Sequence, residues 1–248
     1  MAAGIPLALA LFAVAFAPPA AARAQEAIAS DRPGIGSGSF ALSSGLQVET
    51  GLQLSSSKAT DAYSVGQALV RIGTSALELE LFANSLVIQR GKTVTEADTE
   101  GFQDVGVGVK VPVLRGGQGP ALSLQGIVTA PTGATGFTAD AWVSAVNALA
   151  DIPLGGRAGI GVNLGWQGGD GVTDATSVIA TPALSLGGGF GVFAGWAGSF
   201  SSDGDAHFAE GGLTYLPTPD IQLDLNGGRD VERGDWFLGV GLATRWGS

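Results

Sequence analysis

Few residues in this chain could carry covalent chemistry. It has one histidine, His207, and no cysteine. Hydrolysis of the Ser-His-acid kind needs a histidine between a serine and an orienting acid, so any such site would be built on His207. That residue ends Ser201-Ser202-Asp203-Gly204-Asp205-Ala206-His207, a loop tip where Asp and Gly ordinarily make turns. Asp203, Asp205 and His207 would hold a metal only with further ligands, which the neighbouring sequence lacks. Glu96, Asp98 and Glu100 read as a solvated acidic loop. The glycine pairs and runs, such as Gly106-x-Gly108 and Gly187-Gly188-Gly189, open no helix and so make no phosphate loop. The reading therefore assigns no catalytic residue, no metal and no cofactor.

The remaining chemistry is electrostatic. Glu49, Arg71, Glu78, Glu80, Asp104, Lys110, Arg157, Glu210, Asp224 and Arg245 all fall on the polar side of alternating stretches. The clearest stretch is Gln103 to Leu114, with valine at 105, 107, 109, 111 and 113, and Asp, Gly, Gly, Lys and Pro at 104, 106, 108, 110 and 112. Alternation of this kind is a strand with one apolar and one polar face. Eleven further stretches follow the pattern, at Gly45 to Leu54, Gln67 to Ile72, Leu77 to Phe82, Ala121 to Ala130, Asp140 to Leu149, Ala158 to Gln167, Thr176 to Leu186, Phe190 to Phe200, Phe208 to Leu216, Ile221 to Gly228 and Trp236 to Trp246. Pro182 predicts a bulge or a strand end, and Pro112 a place near the end of its strand.

Connections alternate in length. Gly73-Thr74-Ser75, Arg115 to Gly119, Asp151 to Gly156, Gly187 to Gly189 and Pro217 to Asp220 are compact, whereas Arg90 to Gly101 leads the longer, more polar set. Short turns on one side and long loops on the other are the habit of an outer-membrane barrel, with the turns periplasmic.

The leader agrees with export. Residues 1–24 form an apolar run ending in Ala22-Arg23-Ala24, which predicts a secretory signal cleaved after Ala24, although its start lacks Lys and Arg. Residues 25–44, rich in Ser, Gly and Ala, predict a loosely ordered periplasmic lead-in, and 45–248 the barrel. Beyond the leader no apolar run is long enough for a membrane helix. Without Arg23 the chain carries 11 basic and 22 acidic residues, about −11, which argues against nucleic acid and anionic lipid surfaces.

Charge also chooses the side that faces lipid. Arg71 or Lys110 against hydrocarbon at mid-depth would cost roughly 2 to 4 kcal/mol, so the valine and leucine faces look out and the charged faces in. A soluble β-sandwich is the other all-β solution, but it would present an outer face rich in Lys and Glu, and only 14% of residues here are charged. Trp142, Trp166, Trp196, Trp236 and Trp246 fall near strand ends or on apolar faces, as interfacial girdles do. The expected fold is thus all-β: a transmembrane antiparallel up-and-down β-barrel of about 12 strands, with outer-membrane lipid outside. The expected site is a lumenal charge network of Glu49, Arg71, Glu78, Glu80, Asp104, Lys110, Glu210, Asp224 and Arg245, with Arg245 meeting Glu49 across the closing seam. It would act as a constriction for a small-molecule solute, or as a plug that holds strand register.

Several motifs in order carry a resemblance: Asp31-Arg32-Pro33, Leu46-Gln47-Val48-Glu49-Thr50-Gly51, Arg71 before Leu77-Glu78-Leu79, Asp104-Val105 leading to Lys110, Ala130-Pro131-Thr132-Gly133, Tyr215 to Asp224, and Asp235-Trp236-Phe237. Together they resemble the phenol meta-pathway family of outer-membrane proteins, usually labelled transporters. The resemblance implies a single-chain barrel moving hydrophobic or aromatic compounds. The chain departs from that pattern at Gly195, where an acidic residue is common, and at Gly34-Ile35-Gly36 after Asp-Arg-Pro. The alternatives are a closed structural or adhesive barrel without transport, and an outer-membrane hydrolase built on His207.

Overall fold

The computed structural model describes residues 28, 30, 31, 36–117 and 119–247. The predicted leader, Arg32-Pro33 and Gly34-Ile35 lie outside them. Every regular element among the described residues is a strand. In order these are β1 (Leu46–Ser56), β2 (Thr60–Val65), β3 (Ala68–Gly73), β4 (Glu78–Ala83), β5 (Leu86–Gly91), β6 (Thr99–Phe102), β7 (Val105–Arg115), β8 (Ala121–Ala130), β9 (Val143–Gly155), β10 (Ala158–Gly169), β11 (Val172–Gly187), β12 (Phe190–Ser201), β13 (Ala206–Thr218), β14 (Ile221–Asp230) and β15 (Trp236–Trp246).

These segments form one antiparallel sheet that closes on itself, because β15 pairs with β1 from Leu46 opposite Trp246 to Ser56 opposite Trp236. Closure leaves no long edge exposed to lipid, where an unpaired backbone group is costly. Three neighbouring barrel strands are each broken once, so β2 with β3, β4 with β5 and β6 with β7 count as single strands and the barrel has twelve.

The breaks lie side by side. Gly66 and Gln67 both donate their N–H to Gly51 O, and Gln103 N–H to Ser85 O at 2.9 Å. Gly66 has φ +75 and Ser85 φ 114. Beyond the breaks β2, β5 and β6 continue the wall, so the loop predicted from Arg90 to Gly101 shrinks to 92–98. The turn predicted from Asp151 to Gly156 likewise shrinks to 156–157, since β9 runs on to Gly155. Pro182 lies inside β11, where the ladder to β12 passes from Ala180 to Ala183. Pro112 precedes a register shift near the periplasmic end of β7.

The alternation orients the wall as charge and hydrocarbon require. Val105, Val107, Val109, Val111 and Val113 are exposed on the outside, while Lys110 between them is fully buried inside. All five tryptophans are exposed on the outer surface.

Candidate functional site: the barrel lumen

The first half of the barrel builds a charged cluster from register alone. Arg71 on β3 lies opposite Gln47 on β1 and Glu80 on β4, and Glu78 on β4 lies opposite Lys110 on β7. The Arg71 guanidinium takes Glu78 in a fork, Nε to Oε1 at 2.8 Å and Nη2 to Oε2 at 2.9 Å. Its Nη1 reaches Glu49 Oε1 at 3.1 Å. Lys110 Nζ lies 3.4 Å from Glu80 Oε1 and 3.7 Å from Glu78 Oε1. Gln125 Nε2 donates to both oxygens of Glu80, and Asn147 Nδ2 to Gln125 Oε1 at 3.0 Å, which extends the belt to β9. Arg71, Lys110, Glu49 and Glu78 are all fully buried, a state that charges tolerate only when paired and hydrogen-bonded. Gly108 faces Glu80 from the next strand, and a Cβ there would stand 2.5 Å from Glu80 Oε2.

The cluster is completed by a segment that the composition does not predict to be ordered. The described residues of 28–44 run inside the barrel, with Ile28, Ser30, Asp31, Ser37, Ser39, Ala41 and Leu42 buried. Asp31 Oδ2 meets Lys110 Nζ at 2.7 Å and Arg71 Nη1 at 3.9 Å, while Asp31 N–H donates to Glu49 Oε2 at 2.6 Å. Further along, Phe40 O accepts from Arg71 Nη2 at 2.8 Å and Leu42 N–H donates to Glu78 Oε2 at 2.6 Å. Ser37 exchanges hydrogen bonds with the Asn163 amide, and Ser39 donates N–H and hydroxyl to Asp151 Oδ2. Small side chains let the segment fit the lumen, and inward polar groups satisfy its backbone without a strand ladder. The advance signal was Asp31, one of three charged residues, with Glu26 and Arg32, in the lead-in.

The other predicted lumenal charges fall elsewhere. Asp104 sits at the strand break before β7 and holds the loop after β8. Its Oδ1 accepts from Thr132 N–H at 2.9 Å and Gly133 N–H at 2.8 Å, and its Oδ2 from Ala139 N–H at 2.9 Å. That geometry ties Asp104 to Thr132 and Gly133 of the Ala130-Pro131-Thr132-Gly133 stretch. Arg245 does not lie across the seam from Glu49, because the register sets it opposite Gln47 and sets Glu49 opposite Ala243. Its Nη2 meets Asp220 Oδ1 at 3.0 Å in the turn before β14. Arg157 is in a periplasmic turn, donating to Leu186 O. Asp224 accepts from Gln222 Nε2 at 2.7 Å, and Glu210 Oε1 lies 3.4 Å from Asn226 Nδ2, both on the far wall.

Above the charged cluster the lumen keeps a cavity of about 70 Å³. Leu69, Phe82, Ile127 and Ile179 line it with Gln125, Asn147 and Asn163, and Gly36 and Ser37 of the N-terminal segment border it. Three inward phenylalanines share one arrangement: Phe82 lies opposite Gly106, Phe193 opposite Gly212 and Phe237 opposite Gly228. In each pair a Cβ on the glycine would run into the ring, so the rings lie flat over the neighbouring strand. His207 is on the outer face, its ring 5.7 Å from those of both Trp196 and Phe200 and its Nε2 4.0 Å from Glu232 Oε1. Among the described residues no three His, Cys, Asp or Glu side chains group to hold a metal.

Solved structures with this architecture include the COG4313 outer membrane channel from Pseudomonas putida F1, 17% identical, with a TM-score of 0.64 over 83% of this chain and 97% of that one. The KdgM porin in complex with disordered oligogalacturonate is 5% identical, with a TM-score of 0.56 over 80% and 99%. The NanC porin is 10% identical, with a TM-score of 0.55 over 81% and 100%. At these identities the likeness is one of fold. No curated protein matches the chain in sequence. The family model described as "Putative MetA-pathway of phenol degradation" matches residues 30–246, and the chain belongs to that family.

Proposed function

We propose that the chain is a passive outer-membrane conduit for small hydrophobic or aromatic compounds, exported with a signal cleaved after Ala24 and occluded at rest by its own N-terminal segment. The observation that carries this is the way the segment is held. Side chains of the wall hold it, Lys110 at Asp31, Asn163 at Ser37, Asp151 at Ser39 and Glu78 at Leu42, rather than the ladder of a thirteenth strand. The charged cluster is then the constriction, and the cavity above it is a vestibule. At about 70 Å³ that cavity is smaller than the ~150 Å³ known to hold a benzene in an engineered protein core, so a ring enters only when residues 36–39 give way.

A closed barrel with a structural or adhesive role is the second reading, favoured by the complete burial of Arg71 and Lys110 under that segment. Planar-bilayer conductance and liposome swelling of wild type and Arg71→Ala separate the two. A conduit passes small solutes, and loosening the Arg71 contacts to Phe40 and Glu49 raises its current. A silent wild type without swelling rejects transport.

A further inference from the structure

The N-terminal segment hangs from the periplasmic rim by both ends. Ile28 N–H donates to Pro219 O in the turn before β14, and Gly45 O accepts from Gly73 N–H at the periplasmic end of β3, each at 2.9 Å. Asp31, Ser39, Phe40 and Leu42 meet the wall below the cavity, at Lys110, Asp151, Arg71 and Glu78. Among the described residues of the segment, Gly36 and Ser37 border the cavity itself. There the wall holds the segment through one side chain. Asn163, buried midway along β10, accepts from Ser37 N–H at 3.2 Å and donates to Ser37 O at 2.7 Å. Gly38 N–H turns back to Asp31 Oδ1 within the segment.

That hold is built to be exchanged. Ser37 Oγ is buried and makes no hydrogen bond, so the polar groups of the stretch are not all met where it rests. Positions 36 and 38 are glycine, and no neighbouring side chain shields the two Ser37 backbone groups from a competitor. Around them the cavity joins two kinds of wall. Leu69, Phe82, Ile127 and Ile179 offer hydrocarbon, while Asn163 offers a donor and an acceptor side by side on one amide edge. Glu80, the acid in the lining, is already matched by Gln125 and Lys110, so the site suits a neutral solute.

We propose that Asn163 selects the solute and that the solute releases the segment: a neutral carboxamide on an apolar body takes the two hydrogen bonds that Ser37 now makes. A primary amide pairs with an amide edge to edge, so the bonds lost to Ser37 are replaced in kind and no buried group of Asn163 is left unmatched. The solute's ring occupies the space that Gly36 and Ser37 vacate, which makes binding and release one event. Because both ends of the segment are fixed at the periplasmic rim, the freed stretch moves toward the periplasm while the ring of strands stays closed. The inference rests on the conduit reading for its consequence, but the exchange at Asn163 is measured without it.

The probes are benzamide and acetophenone, which share a ring and a carbonyl and differ in carrying NH2 or CH3. The chain has no cysteine, so Ser37→Cys is a single reporter that keeps the backbone bonds to Asn163. Release is read as labelling of the detergent-solubilised full chain by a water-soluble maleimide, with heat-modifiable gel mobility confirming the folded barrel. Benzamide is expected to speed labelling at least about fivefold and acetophenone to leave it unchanged, since acetophenone gives Asn163 Oδ1 no donor. Asn163→Leu and Asn163→Ala, made on the same background, are expected to label fast without a probe and to gain nothing from benzamide. Equal response to the two probes, no response to benzamide, or a benzamide response that survives in a folded Asn163 variant overturns the proposal. Where a variant does not fold, the probe pair decides alone. Planar-bilayer current is recorded in parallel. Labelling that responds to benzamide in a barrel that passes no current supports the exchange and rejects the conduit, whereas current with labelling that neither probe changes does the reverse.

Discussion

Replacing Asp104 by Asn tests whether this acid is a lumenal charge or a latch. Three backbone N–H groups, from Thr132, Gly133 and Ala139, converge on its two oxygens at 2.8 to 2.9 Å. Asparagine keeps the shape but removes the charge from all three bonds, and it turns an NH2 toward one donor that then has no acceptor. A hydrogen bond to a charged group is worth about 1.5 to 3 kcal/mol, so closing the loop should weaken by about 2 kcal/mol or more. At tenfold per 1.4 kcal/mol, the open loop becomes at least tenfold more populated. Cleavage in the loop follows that population when reclosing outruns the protease. Chymotrypsin acting at Phe137 and the exposed Trp142 on barrels in lipid vesicles is therefore expected to cut Asp104→Asn at least ten times faster than wild type. Equal rates, together with a changed conductance, would return Asp104 to the lumen and refute the latch.

Three further outcomes follow from the wall and the outer face. Val107→Arg puts a cation on the lipid side at a position 53% exposed, and should cost about 2 to 4 kcal/mol in urea unfolding from vesicles while Val107→Leu costs nothing measurable. Gly106→Leu drives into the Phe82 ring and against Val128 O and should destabilise by about 1 to 3 kcal/mol, with Phe82→Ala relieving the part due to the ring in a double-mutant cycle; additive effects would separate the two residues. His207→Ala is expected to leave the purified barrel's hydrolysis of a short-chain nitrophenyl ester at the level of the protein-free blank, as for wild type. An activity in wild type that this change abolishes would revive the hydrolase reading.

The barrel was legible because its rule is local: alternation fixes which face each side chain takes, and the cost of Arg71 and Lys110 in hydrocarbon decides which face is inside. The grouping of Glu49, Arg71, Glu78, Glu80 and Lys110 followed from strands adjacent in the chain. Arg245 with Glu49 failed because seam register is set by pairing two ends of the chain, and nothing local fixes its offset. Asp104 obeyed the alternation, yet it stands in the strand break between Phe102 and Val105, which freed it to turn to the loop. The N-terminal segment was missed for a different reason. Its Ser and Gly content signals disorder in water, whereas a lumen lined with unmatched amides and carboxylates supplies the partners such a backbone needs.

The same cluster bears on the order of assembly. Asp31, Glu49, Arg71, Glu78, Glu80 and Lys110 all come from the first 110 residues, whereas the ring closes only when Leu46 meets Trp246. Joining ends 200 positions apart carries a chain-entropy cost of about 5 kcal/mol that nearby strands do not bear. The charges can therefore gather on a half-built, curled sheet, with the N-terminal segment already lodged against it. On that route the later strands would wrap around an occupied interior, bringing Asp151 and Asn163 to the segment, which would not have to thread a finished ring.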